Sequence, residues 1–173
     1  MTRHVRRGGR YLRVADPQWD DPLDGNSSMR SGKRWNAAGS FPVVYLNTTL
    51  EVARANCDKW FAALPYGPLD LEPDEAPVLV ETETPEANYV DAVTDPGCAA
   101  LALPTTYPFD AAGAVVPWAT CQPIGQRLWG EGEPGIACRS AALPRGTVGE
   151  ELAYFQRADR LRKGAVRAFA DWY

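Results

Sequence analysis

The chain has 173 residues, 45% of them hydrophobic and 23% charged, which suits one soluble globular domain with a real core. A formal net charge of −4 argues against general nucleic-acid binding, and no apolar run approaches the ~18 residues of a transmembrane helix. The single histidine, His4, falls in a basic leader over residues 1–10, so Ser-His-Asp, Cys-His and histidine–zinc chemistry are not expected. That leader has no apolar segment behind it and does not read as a secretory signal.

Cys57, Cys98, Cys121 and Cys138 include no C-x-x-C pair. They read as free structural thiols of a reducing cytoplasm, and no metal site is expected. Whatever chemistry the chain performs must come from Arg, Asp, Glu, Ser, Tyr or Asn. Charge is unevenly spread: seven arginines crowd the stretch from Arg3 to Arg34, and no Lys or Arg lies between Lys59 and Arg127. The plain reading of that asymmetry is one basic and one acidic face.

In chain order, Gly9–Val14 alternates like a strand, and residues 16–31 read as a loop rich in Asp, Pro, Asn, Ser and Gly. Phe41–Leu46 reads as a short buried strand. Thr48 or Thr49 caps a helix running to about Leu64, with Pro65 and Pro68 stopping it. Pro77–Thr82 and Tyr89–Val93 follow as two separate strands. Asp95–Trp118 mixes loop with a short helix, Cys121–Trp129 reads as a helix and Gly135–Arg139 as a strand. Glu151–Phe155 and Ala165–Trp172 close the chain as strands. Fifteen scattered prolines argue against a helical bundle, and neither dinucleotide nor P-loop glycine signatures are present. The expectation is a single mixed α/β (α+β) domain over residues 11–173, built of short strands with a few helices.

The most informative segment is Ser31–Tyr45, SGKRWNAAGSFPVVY. Arg34-Trp35-Asn36 offers a bidentate anion fork, a large flat aromatic and a two-way amide within three residues. Gly32 and Gly39 on either side allow close backbone approach. Arg13 is a second anion-binding candidate. The plainer alternatives are a surface ion pair beside a core tryptophan, and a salt-bridge partner for Arg13.

Arg13 with Pro17, Gly32 to Asn36 with Gly39, Val43 to Leu46, and Gly135-Ile136 with Ser140 together resemble the RES domain from about Tyr11 to Ser140. The resemblance implies a fold related to ADP-ribosyltransferase toxins and cleavage of the nicotinamide–ribose bond of NAD+, with phosphate or water as acceptor. NAD+ is then a substrate rather than a bound cofactor. It also implies a toxin of a toxin–antitoxin pair, restrained by an Xre-like antitoxin that blocks the cleft, with no nucleic-acid or membrane contact of its own.

On this resemblance Arg34, Asn56 and Ser140 are the candidate catalytic residues, and Arg13, Trp35, Asn36 and Tyr45 would bind NAD+. Arg13 and Arg34 would clamp phosphates, Tyr45 would stack on nicotinamide, and Ser140 would bond the carboxamide or ribose. The family acid lies eleven positions after the strand tyrosine, where this chain has Asn56. Glu51 lies about 140° and Asp58 about 200° around the helix from it, so neither stands in. Two alternatives follow: a catalytically silent nucleotide- or protein-binding module, or transfer of ADP-ribose to a macromolecule.

Overall fold

A computed structural model describes residues 1–173. Its elements are β1 (His4–Ala15), α1 (Asn26–Ser31), β2 (Val43–Asn47), α2 (Leu50–Phe61), β3 (Val78–Ala92), α3 (Asp95–Ala100), α4 (Trp118–Gly130), β4 (Gly135–Arg139), β5 (Glu150–Phe155), β6 (Arg162–Arg167) and α5 (Phe169–Trp172). The six strands form one mixed sheet in the order β1-β2-β5-β4-β3-β6, in which only β3 and β4 run parallel. β1 also pairs along β3 and meets β2 at the single Leu12–Asn47 bridge, so the sheet bends back on itself. No helix is long and apolar enough to cross a membrane.

Several expected boundaries move, each for a physical reason. Most of the basic leader is strand: His4 to Arg10 belong to β1, held by a register with Glu83–Val90. The two strands expected at 77–82 and 89–93 are one strand, β3. Pro85, which reads as a break, sits at the register shift facing Gly8, where proline is tolerated. Any Cβ at Gly8 would lie 2.6 Å from the Glu86 Cα, so the bulge needs glycine. The loop at 16–31 ends in helix α1, whose Ser28 hydroxyl donates to the Val43 carbonyl (2.7 Å) and ties it to β2. The expected strand at 165–172 is instead the end of β6 followed by α5. There a helical turn brings Phe169 and Trp172 together to pack against Leu12, Ala53 and Leu79.

The uneven charge resolves across the sheet rather than into two faces. Arg6 pairs with Glu86, Arg10 and Arg167 with Glu81, and Arg7 bidentately with Glu150. Basic β1 thus lies against acidic β3, each neutralising the other. Arg13 and Arg34 have no carboxylate partner of this kind.

Candidate active site

A cleft of about 510 Å³ opens where the C-terminal end of β1, the 16–35 segment, β2, α2 and the start of β5 converge. Thr49 caps α2 by accepting from the Val52 amide (3.3 Å), and Val52, Ala53, Cys57 and Phe61 form its buried face. That anchoring leaves Asn56, Lys59 and Trp60 to line the cleft.

Arg13 is the most unusual group in it. The side chain is 5% exposed, Nη2 reaches only the Ser27 hydroxyl at 3.5 Å, and Nη1 is buried with no partner. Burial pulls its pKa down from 12.5 to about 10, against the opposing pull of Asp21 and Asp24. Arg13 remains charged at neutral pH, so the fold carries an unpaired buried cation facing the cleft. Arg34 is half-buried and anchored by Nη1 donating to the Val116 carbonyl (2.8 Å), which leaves Nε and Nη2 free of protein acceptors. The two arginines line one cleft together with Lys33 and Lys59. Lys59 donates to the Ala141 carbonyl (2.9 Å), and burial with the nearby Arg34 lowers its pKa.

The tryptophan and asparagine of the R-W-N run are placed differently from expectation. Trp35 is 0% exposed and tilts against Tyr107 within the main hydrophobic cluster, so its ring offers no platform to a heterocycle. Asn36 is also fully buried. Its amide donates to the Phe41 carbonyl (3.0 Å) and the Ser28 hydroxyl (3.3 Å), and its Oδ1 accepts from the Tyr45 hydroxyl (2.7 Å). Tyr45 in turn accepts from the Trp35 amide (2.9 Å). Asn36 and Tyr45 therefore brace the turn that projects Arg34, and Tyr45's hydroxyl is committed to that brace. Burial pushes its pKa well up, so it stays a neutral phenol.

Exposed indoles lie at the cleft instead: Trp19 (37%), Trp60 (51%) and Trp118 (44%). Arg13 lies 5.5 Å from the Trp19 ring centroid and Lys33 5.9 Å from that of Trp118. These positions give no sign in the sequence, since an isolated Trp in a loop or at a helix end usually packs inward.

Asn56 and Ser140 meet at a residue the sequence reading passed over. Glu151 Oε1 accepts from the Ser140 hydroxyl (2.5 Å) and from Asn56 Nδ2 (2.9 Å), which also donates to Asn47 Oδ1 (2.9 Å). Glu151 sits opposite Asn47 in the β2–β5 register, and both line the cleft. Ser140 is buried and not among the residues that line the cleft, and its hydroxyl donates to Glu151. A charge opening a strand is common, so only the cross-strand register identifies Glu151.

A bent mixed sheet carrying a cation-lined cleft, with Glu151 held by two side-chain donors in its wall, defines a mixed α+β domain. The chain belongs to the RES domain family, which matches residues 10–165. It is also similar in fold to a chain of the M. tuberculosis MbcT–MbcA toxin–antitoxin complex, with a TM-score of 0.75 and 19% identity, covering 96% of this chain and 86% of that one. A search of the curated proteins finds no match.

Proposed function

We propose that this chain consumes NAD+, cleaving the bond between nicotinamide and ribose with phosphate or water as acceptor, and acts as the toxin of a toxin–antitoxin pair. The observation that carries the reading is the buried, unpaired guanidinium of Arg13 beside the carboxylate-free Arg34 in one cleft. An unpaired buried cation is costly, and a dianionic pyrophosphate repays that cost with charge-assisted bonds. The exposed indoles suit the two planar bases of a dinucleotide. Membership of the RES family supports NAD+ as the ligand, and the antitoxin complex of the similar fold supports a protein partner, of Xre-like type, that covers the cleft. The reaction needs electrostatic stabilisation and positioning, which Arg13, Arg34 and Glu151 supply.

The test is NAD+ turnover by purified protein, followed by proton and phosphorus NMR with and without inorganic phosphate. Nicotinamide release that requires phosphate and yields an ADP-ribose phosphate identifies a phosphorylase. Release in its absence identifies a glycohydrolase. Intact NAD+ in both buffers, with NAD+ still bound, turns the reading to the silent binding module that Asn56 motivates.

A further inference from the structure

We propose that Glu151 is the catalytic carboxylate of this cleft, presented from β5 and held in place by Ser140 and Asn56 as positioning residues. The inference rests on the NAD+-cleaving reading and assigns its charge-stabilising group.

The cleft is lined by Arg13, Lys33, Arg34 and Lys59 but by two carboxylates only, Asp16 and Glu151. Asp16, directly after the end of β1, closes a turn by accepting from the Gln18 amide (2.8 Å). Glu151 is built differently. Two side-chain donors from separate elements, Ser140 after β4 and Asn56 on α2, converge on its Oε1. Its Oε2 receives no protein hydrogen bond and is not among the buried unpaired atoms, so it is open to the cleft. No arginine or lysine lies within ion-pair distance of it. One oxygen is fixed and the other is free, which is the arrangement of a carboxylate that works on a ligand rather than on the fold.

Cleavage breaks the C1′–N bond heterolytically. The electron pair leaves with the ring nitrogen as neutral nicotinamide, and positive charge develops over C1′ and the ring oxygen. An oxygen of water or phosphate then forms the C1′–O bond, and the proton it carries passes to solvent. Glu151 forms no bond in this scheme. Its anion stabilises the cationic sugar, and Oε2 accepts from a ribose hydroxyl. Ser140 and Asn56 act through it: their hydrogen bonds to Oε1 hold the carboxylate in one orientation and keep it aimed. Asn56 cannot itself supply the charge, but its amide makes the neighbouring carboxylate usable.

The test compares the parent with Glu151→Gln, which keeps shape and loses charge, and with the pair swap Asn56→Glu/Glu151→Gln, which returns the carboxylate to the other end of the same hydrogen bond. The expected result is a fall in kcat of about 100-fold for Glu151→Gln with the Kd for ADP-ribose within about threefold of the parent, and recovery of at least tenfold in the swap. A Glu151→Gln rate within about threefold of the parent overturns the role of Glu151. So does parallel loss of turnover and ADP-ribose binding, the mark of a structural residue. If Glu151→Gln does not fold, the swap decides alone: folded and active it supports the proposal, folded and inactive it overturns it. A parent that leaves NAD+ intact overturns the functional reading itself, and Glu151's role falls with it.

Discussion

Replacing Arg13 with methionine is expected to make the protein more stable and to abolish its response to phosphate-bearing ligands. Burial lowers the Arg13 pKa from 12.5 to about 10. At about 1.4 kcal/mol per unit, the folded state spends about 3 kcal/mol to keep the guanidinium charged. The sign follows from linkage: the folded pKa of this base lies below its unfolded value, so the penalty is present in full at every pH below about 10 and is relieved only above it. Methionine keeps the apolar stem and loses the weak Ser27 contact and the Trp19 ring contact, together about 1 kcal/mol. The net gain of about 2 kcal/mol corresponds to roughly 4–8 °C in Tm for a chain of this size. Scanning calorimetry at pH 7, with and without ADP-ribose, reads both effects. ADP-ribose at a hundredfold over its Kd should stabilise the parent by about 2.7 kcal/mol and leave Arg13→Met unmoved. A variant that melts several degrees lower, with ADP-ribose raising both proteins equally, would show that Arg13 is a structural residue and refute the anion-site argument.

Arg34→Ala should lower kcat/KM for NAD+ by about 100-fold with little change in Tm, because Arg34 spends one nitrogen on the Val116 carbonyl and no carboxylate depends on it; steady-state kinetics and calorimetry check the two halves. Tyr45→Phe leaves Asn36 Oδ1 and the Trp35 amide without their shared partner, a loss of about 1–3 kcal/mol readable by urea denaturation. Gly125→Ala should yield insoluble or unfolded protein on expression, since a Cβ there collides with the Trp35 carbonyl where α4 crosses the R-W-N turn. Trp118→Ala should raise KM several-fold at near-constant kcat, as expected for an exposed platform that binds ground state and transition state alike.

How much of this was legible in the sequence depended on whether a signal was local. The Thr49 cap and the short β2 run declare themselves within a few residues; both elements form there, with α2 ending at Phe61 rather than Leu64 and β2 spanning Val43–Asn47 rather than Phe41–Leu46. Elements stabilised from outside did not declare themselves. β1 extends back to His4 because β3 supplies both hydrogen bonds and acids for its arginines, and α5 forms because Trp172 finds a core slot and a carbonyl, that of Pro77, for its indole. Neither partner is near in sequence.

The site divides along the same line. The R-W-N run was visible as a cluster of useful chemistry, but residue type could not say which member faces the ligand. The glycines that flank it let the turn fold tightly enough to bury Trp35 and Asn36, and the side chain left facing the cleft is Arg34. On α2 itself the carboxylates near position 56 are Glu51 and Asp58, and the helical spacing points both away from Asn56. The carboxylate beside Asn56 is Glu151, 95 residues away in sequence, because β5 lies beside β2 and the Asn47–Glu151 register brings that strand end within hydrogen-bond reach of Asn56. A helix-periodicity argument can exclude Glu51 and Asp58, as it did, yet it is blind to a neighbour across a sheet. A chain can therefore lose an acid at one position and keep a carboxylate at the same point in space, provided the residue left behind, here Asn56, can donate a hydrogen bond to it.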